Sequence, residues 1–572
     1  MVLVVGMTSE RLMKWVAALV SLAAGAFTLK LLFSIPAQPP EGYFWIPGIA
    51  VQIGFNLTGL GVWVAVVAGC VGALAVIFSL KYMEPEEEHY PPTRYYFFTV
   101  LFIGSMIGLA LTDNLLMLYL FWEMIGFCSY ILIAYYYKDP KAVRAGTKAF
   151  IVTRLGDVGL LAAIIVLWQA TSTTNIFEIL DLAQRGDIPL YLLGLAGGGF
   201  ILGAVGKSAQ FPLHVWLPDA MEAPTTISAL IHAACLVNAG VYLLALTYPM
   251  FLMLTWWGSL VLWIGAITAL LAGILALIEY DIKRVLAYST ISQLGFMVAA
   301  VGVGGIFASQ FHLLNHAVFK ALLFLCAGAI VHAIGTRDLR QMGGLGAKMP
   351  LTQFCCAVGV LALAGIPVLN GFWSKDLILE SVVMAGDLAA IPLIILIIAA
   401  VFTAAYSLRM YWMAFAGPRP YEQEAHDGPW QMSVPLIVLA LAAMLMWLAV
   451  GFYSEQAAAG VVFHPLSALT LPELLHETVT SPLLIVSGVI VLLWVVLAVS
   501  WSKSGKVLSA EGAWADALTE TKFGFDAFYG AGVRMITKFC QGLREWQTGD
   551  INYNAAAAAV GLLILLLLLA PI

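Results

Sequence analysis

Charge is scarce in this chain, and so is reactive sulfur. Of 572 residues only 10% are Asp, Glu, Lys or Arg, while 62% are hydrophobic. The mean hydropathy of +0.94 excludes a water-soluble domain of this size. The seven cysteines (Cys70, Cys128, Cys235, Cys326, Cys355, Cys356 and Cys540) form no C-x-x-C pair and no Cys/His cluster. Most sit in apolar runs and read as small core residues, not as metal ligands or disulfides. There is no G-x-x-x-x-G-K-[ST] loop and no strand-bound G-x-G-x-x-G, so neither nucleotide hydrolysis nor dinucleotide binding is indicated. The net charge of -6 says less than where the charges fall.

What remains is apolar sequence in long runs. At about 20 residues per membrane-spanning helix, the chain holds about fifteen spans. They lie near 12 to 33, 55 to 80, 97 to 112, 114 to 137, 147 to 168, 190 to 208, 226 to 248, 256 to 278, 285 to 304, 309 to 333, 350 to 380, 388 to 412, 433 to 453, 481 to 502 and 553 to 571. The first, preceded by Arg11 and Lys14, is expected to be a retained helix and not a signal peptide, since it is long and lacks a clear cleavage site. Lysine and arginine then fall almost wholly on one side. With the N-terminus cytoplasmic, the inner connections carry Lys81, Arg94, Lys138, Lys141, Arg144, Lys148, Lys283, Arg284, Arg337, Arg340 and Lys348, and the outer ones only Lys30 and Arg185. This asymmetry sets the topology and puts the C-terminus outside.

The stretch 503–552 is polar, and within it Phe525, Phe528, Tyr529, Val533, Ile536 and Phe539 recur at helical spacing. That pattern predicts a short amphipathic helix along the inner membrane surface.

A few charges lie inside the apolar runs, where an ionisable group marks an ion path or a counter-ion pair. Lys207 stands in GAVGKSAQFPLHVWLPDAM, followed by Pro212 and Pro218, each of which removes a backbone donor and should break the helix. Lys375 repeats the theme behind Gly365, Pro367 and Gly371. Two interrupted, lysine-bearing helices suggest halves related by an inverted repeat. Glu123 and Asp157 are the acidic members, and His232 lies in the span after Lys207. His312, His316 and Lys320 are spaced four apart and so share one helix face. A lysine that gains and loses a carboxylate partner can take up and release a proton. The bland alternative is a set of static charges that only fix helix packing.

The segments TRLGDVG, GAVGKSAQFPLHVWLPDAMEAPTTISALIHAA, IEYDIKRVLAYSTISQLGFM, FHLLNHAVFKALLFL and AGIPVLNGFWSKD resemble the antiporter-like membrane subunits of respiratory complex I, most of all the distal subunit 5 or L type. The likeness runs from about Phe55 to Trp412. It implies an all-α, polytopic fold with two inverted five-helix repeats containing broken helices. The corresponding divisions are N-terminal peripheral helices at 1–96, halves at 97–278 and 279–412, additional helices at 413–502, the lateral segment at 503–552 and a last helix at 553–572. The resemblance implies that Glu123 pairs with Lys207, and that Asp157, His232, His312, His316, Lys320 and Lys375 continue a proton axis. Its DIKR turn is matched by Asp281 to Arg284.

Two departures are visible: MVLVVG looks like the tail of a further first helix, and the stretch Phe523 to Trp546 spans only ~35 Å, short for a brace across neighbouring subunits. The function implied is proton translocation in an NADH-quinone oxidoreductase of a prokaryotic inner (plasma) membrane. The chain itself would carry no redox centre, metal or cofactor. NADH, flavin, iron-sulfur clusters and quinone would belong to partner subunits, and the partners would be other membrane subunits, neighbouring antiporter-like subunits among them, and the bilayer, with no nucleic acid. The rival readings are an Mrp-type sodium/proton antiporter subunit, a membrane-bound hydrogenase module, a bicarbonate-uptake module and a scaffold.

Overall fold

A chain this apolar can satisfy its backbone in a bilayer only within helices or a closed barrel, and helices are what form. The structure, a computed structural model, describes residues 2–6, 9–33, 43–46, 51–55, 57–417, 425–458, 469–480 and 524–546, with isolated positions between 485 and 500 and between 555 and 561. Two compact units result, residues 1–510 and 511–572. Besides helices, the described residues include a short antiparallel hairpin, Tyr43–Ile46 with Val51–Ile53.

Twelve helices among the described residues are long and apolar enough to cross a membrane. After the short α1 (Val2–Gly6) come α2 (Glu10–Leu32), α3 (Gly59–Tyr82), α4 (Pro92–Leu111), α5 (Leu115–Ile133) and α6 (Pro140–Thr171). The short α7 (Ile176–Arg185) leads to α8 (Leu190–Lys207). The next span, Thr225–Phe251, is built from α9 (Thr225–Ala229), a π turn at Leu230–Ala234, α10 (Leu236–Thr247) and a closing 3-10 turn. Then follow α11 (Thr255–Ile278), α12 (Ile282–Gly302), α13 (Ile306–Ile334) and two shorter helices, α14 (Pro350–Ala364) and α15 (Asn370–Met384). The spans Asp387–Ala416 and Trp430–Gln456 are formed around α16 (Ala390–Tyr411) and α17 (Trp430–Leu445). Of the spans expected from the sequence, 350 to 380 is thus two helices, and 481 to 502 and 553 to 571 fall largely outside the described residues.

Side chains at the ends explain the boundaries. Asn114 caps α5 by accepting from Leu116 N and Met117 N, and Asp281 caps α12 by accepting from Lys283 N and Arg284 N, each filling orphan donors of the first turn. Gly335 and Gly365 close α13 and α14 in the left-handed conformation, where glycine carries no Cβ penalty.

The centre of the first unit is made by the span through α10, buried along its whole apolar window, and by α12 and α13, nearly so. Apolar residues all round a helix suit such a position. By contrast α6, α16 and α17 keep one face exposed, with Ile151, Leu155 and Val158 of α6 in a row, as lipid-facing helices do. The second unit's described helix, Phe525–Trp546, carries an exposed apolar row of Phe528, Val533, Ile536 and Phe539 together with Arg534 and Lys538.

Helices α6 and α8 pack closely, and small residues allow it. A Cβ on Gly199 would lie 2.4 Å from the Gly159 carbonyl oxygen, and one on Gly156 would lie 2.7 Å from the Leu202 oxygen. Nothing lies within 4 Å of the corresponding point on Gly198. Gly199→Leu therefore lowers the stability of the detergent-solubilised protein by about 3 kcal/mol, whereas Gly198→Leu changes it by no more than ~0.5 kcal/mol. Thermal unfolding of the two variants compares them, and equal stability would contradict this packing.

Candidate proton path

The close contact of α6 with α8 brings two wholly buried charges together. Lys207, on the last turn of α8, donates to Asp157 Oδ2 at 3.3 Å. The other oxygen, Oδ1, accepts from Trp122 Nε1 of α5 at 2.6 Å. A Cβ on Gly126, one turn further along α5, would stand 2.6 Å from Lys207 Nζ, so the missing side chain is the space the ammonium occupies.

The glutamate is placed elsewhere than the resemblance implied. Glu123 does not pair with Lys207; its Oε2 takes Arg154 Nη1 of α6, and Arg154 lies 3.9 Å from Asp157 Oδ2. The reason is helix rotation. Trp122 points into the core, and Glu123, ~100° further round α5, comes to the partly exposed rim where Arg154 reaches it. Glu123, Arg154, Asp157 and Lys207 thus form one file of alternating charge, with opposite charges as neighbours.

Beyond Lys207 the helix breaks as its prolines require. Pro212 starts the 3-10 turn Leu213–Trp216, and Pro218 starts Asp219–Glu222. Freed backbone groups find side-chain partners: Trp216 Nε1 donates to Gly206 O at 3.1 Å, and Phe211 N donates to Thr268 Oγ1 at 3.0 Å. Irregular backbone at membrane depth persists on such terms.

His232 sits inside the π turn, a local widening that often marks a functional position. Its ring lies 4.6 Å from Phe324 of α13, and neither ring nitrogen has a protein partner. Phe324 is one turn beyond Lys320, so the histidine reaches α13 at the end of the basic stripe. That stripe is observed: His312, His316 and Lys320 lie wholly buried on one helix. Lys320 donates to Ser289 Oγ of α12. His316 nitrogens have no protein partner. His312 is wired to two helices, with Nδ1 2.8 Å from Ser374 Oγ and Nε2 3.1 Å from Gln293 Oε1.

Ser374 is followed by Lys375, on α15 just after the break at Gly365 and Pro367. Lys375 Nζ donates to Leu363 O at 2.8 Å, so the amine meets a carbonyl from the last turn of α14 that the break leaves without an amide. Among the described residues no carboxylate pairs with Lys320 or Lys375. Only Lys207, of the three, holds a counter-ion.

Trp122 and Gly126 escaped the sequence reading, and Arg154 was given no role in it. Trp122 and Gly126 offered no signal beyond lying near Glu123. Arg154 did offer one, since it stands three residues before Asp157 and so on the same face. Lys283, also buried, donates to Met221 O at 2.7 Å and Ala223 O at 2.6 Å, tying the DIKR turn to the end of the broken segment. Among the described residues no group of His, Cys, Asp and Glu could hold a metal ion.

Buried amines on interrupted helices, inside a bundle of membrane-length helices, define a multi-pass membrane protein of the antiporter-like class. The chain belongs to the NADH:quinone oxidoreductase/Mrp antiporter family, whose membrane region matches residues 112–403. The N-terminal region of complex I chain 5 matches residues 44–96. It is 40% identical to the F(420)H(2) dehydrogenase subunit L of Methanosarcina mazei, over 73% of this chain and 66% of that one. To NADH-quinone oxidoreductase subunit L of Escherichia coli it is also 40% identical, over 85% of this chain and 78% of that one. The chain spans 64% of NAD(P)H-quinone oxidoreductase chain 5 of Picosynechococcus, and so about two thirds of the length of such relatives. Among solved structures, one titled as the Mrp complex from Dietzia superposes with a TM-score of 0.78 at 26% identity, covering 99% of this chain and 63% of that one.

The observed pairing is open to a double-mutant cycle on the stability of the purified protein. Asp157→Asn with Lys207→Gln should show a coupling of about 2 kcal/mol, and Glu123→Gln with Lys207→Gln no more than ~0.5 kcal/mol. The reverse order would restore the glutamate as the partner of Lys207.

Proposed function

We propose that this chain is the proton-translocating, non-redox membrane subunit of a complex I type NADH:quinone oxidoreductase. The observation that carries the reading is the Lys207–Asp157 pair at 3.3 Å, wholly buried at a helix break. Protons would pass through the file Glu123, Asp157, Lys207, His232, His316, Lys320, His312 and Lys375. Electron transfer in partner subunits holding NADH, flavin, iron-sulfur clusters and quinone would drive them.

The magnitudes agree. Opposite unit charges 3.3 Å apart attract by ~5 kcal/mol at an effective dielectric near 20. Moving one charge through ~200 mV costs about 5 kcal/mol. Opening and closing one such pair is therefore of the size needed to move a proton against a membrane potential.

The finer architecture belongs to this proposal: fifteen spans, two inverted five-helix repeats at 97–278 and 279–412, an inner-surface helix at Phe525–Trp546, a cytoplasmic N-terminus and an outer C-terminus in a prokaryotic plasma membrane. The two interrupted helices support the repeat. In one the lysine is on the last turn before the break, and in the other it follows the break. The second reading, an Mrp-type sodium/proton antiporter subunit, is favoured by the Dietzia superposition and would use the same residues.

Inverted membrane vesicles carrying the complex separate the two. With NADH and quinone supplied, Lys207→Ala should leave assembly and electron transfer in place and reduce acidification at least ~10-fold, since it removes the titrating group itself. If NADH drives no acidification in unaltered vesicles while a sodium gradient moves protons, the antiporter reading replaces the respiratory one.

A further inference from the structure

Trp122 touches both members of the central ion pair. Helix α5 presents two consecutive residues to α6, Trp122 to Asp157 and Glu123 to Arg154. Arg154 and Asp157 are three apart and so share a face. The indole is wholly buried, and its Nε1–H donates to Asp157 Oδ1 at 2.6 Å while Oδ2 faces Lys207 at 3.3 Å. The centroid of the same indole lies 5.6 Å from the Lys207 ammonium.

An indole N–H donates and does not accept. It can hold one oxygen of an ionised carboxylate and fix the plane of the group, leaving the second oxygen to the lysine. It cannot itself pass a proton along. Its ring face attracts a cation, and here it stands beside the carboxylate as a second, weaker place for the ammonium. The two features serve the two states of the pair. The N–H favours the closed state, and the ring lowers the cost of opening.

Resting on the proton-path reading above, we propose that Trp122 is a positioning residue of the translocation step, holding Asp157 in the orientation that retains Lys207 and receiving the ammonium on its ring when the pair opens.

Two substitutions isolate the donor. Phe and Tyr are nearly equal in size and shape, but only Tyr carries an O–H donor, so a packing role would be disturbed equally by both. In vesicles carrying the assembled complex, Trp122→Phe should keep assembly and NADH oxidation and lower the protons moved per electron about tenfold, the size expected for a lost hydrogen bond to a charged group. Trp122→Tyr should recover at least about half of the unaltered ratio through its O–H. Infrared difference spectra give a second readout. The carboxylate stretch that disappears in Asp157→Asn should move in Trp122→Phe and return toward its place in Trp122→Tyr. Equal ratios in the two variants, an unmoved carboxylate band, or loss of assembly in both would overturn the proposal and make Trp122 a packing residue. Lys207→Ala keeps the two readings apart. If it pumps normally, the proton path has failed; if it does not pump while the Trp122 variants behave alike, only the role of Trp122 has failed.

Discussion

An ammonium enclosed by helices needs a partner for its charge, and Lys207 with Asp157 is the one ion pair among the described residues whose side chains are both wholly buried. Much else follows from keeping those two groups 3.3 Å apart. Helices α6 and α8 must approach more closely than side chains ordinarily permit, so glycine lines their contact at Gly156, Gly159, Gly199 and Gly206. Room is needed for the ammonium, and Gly126 leaves it. The helix must end where the lysine stands, and Pro212 and Pro218 end it, with Trp216 and Thr268 taking up freed backbone groups.

The second half of the path is built on other terms. Lys320 leans on the Ser289 hydroxyl and Lys375 on the Leu363 carbonyl, both neutral. A neutral partner stabilises a buried ammonium less than a carboxylate does. Between them His316 keeps both nitrogens without a protein partner, while His312 bridges Ser374 and Gln293. The file therefore runs from a charge-rich end at Glu123 and Arg154 to an end where, among the described residues, no carboxylate pairs with the amines.

How much of this was legible in the sequence depends on the distance over which each feature is decided. A lysine in an apolar run, a proline five residues on, and a histidine-lysine stripe at four-residue spacing are local, and the structure places Lys207, Pro212, His312, His316 and Lys320 as that spacing requires. The break between α14 and α15 was likewise visible in Gly365 and Pro367. Helix ends were less so: α6 begins at Pro140 and not near 147, because Lys141, Arg144 and Lys148 can wind into a helix whose start projects beyond the apolar layer. The pairing of charges was not legible at all. Whether Glu123 meets Lys207 or Arg154 depends on the rotation of α5 against α6, which turns on the packing of Trp122 in the core. The π turn that carries His232 is equally invisible in SALIHAACLV, although Asn238, just beyond it, donates to Ala233 O of the turn at 2.7 Å.

The central claim is that Lys207 must lose and regain its proton, not merely be positive. The most direct measurement is proton translocation by the assembled complex carrying Lys207→Arg, with electron transfer followed in parallel. Arginine keeps the charge and the carboxylate partner but does not deprotonate in a protein. The account predicts a complex that assembles, transfers electrons and moves few or no protons. Translocation at the unaltered rate would show that the charge at this position is structural, and that the path runs elsewhere.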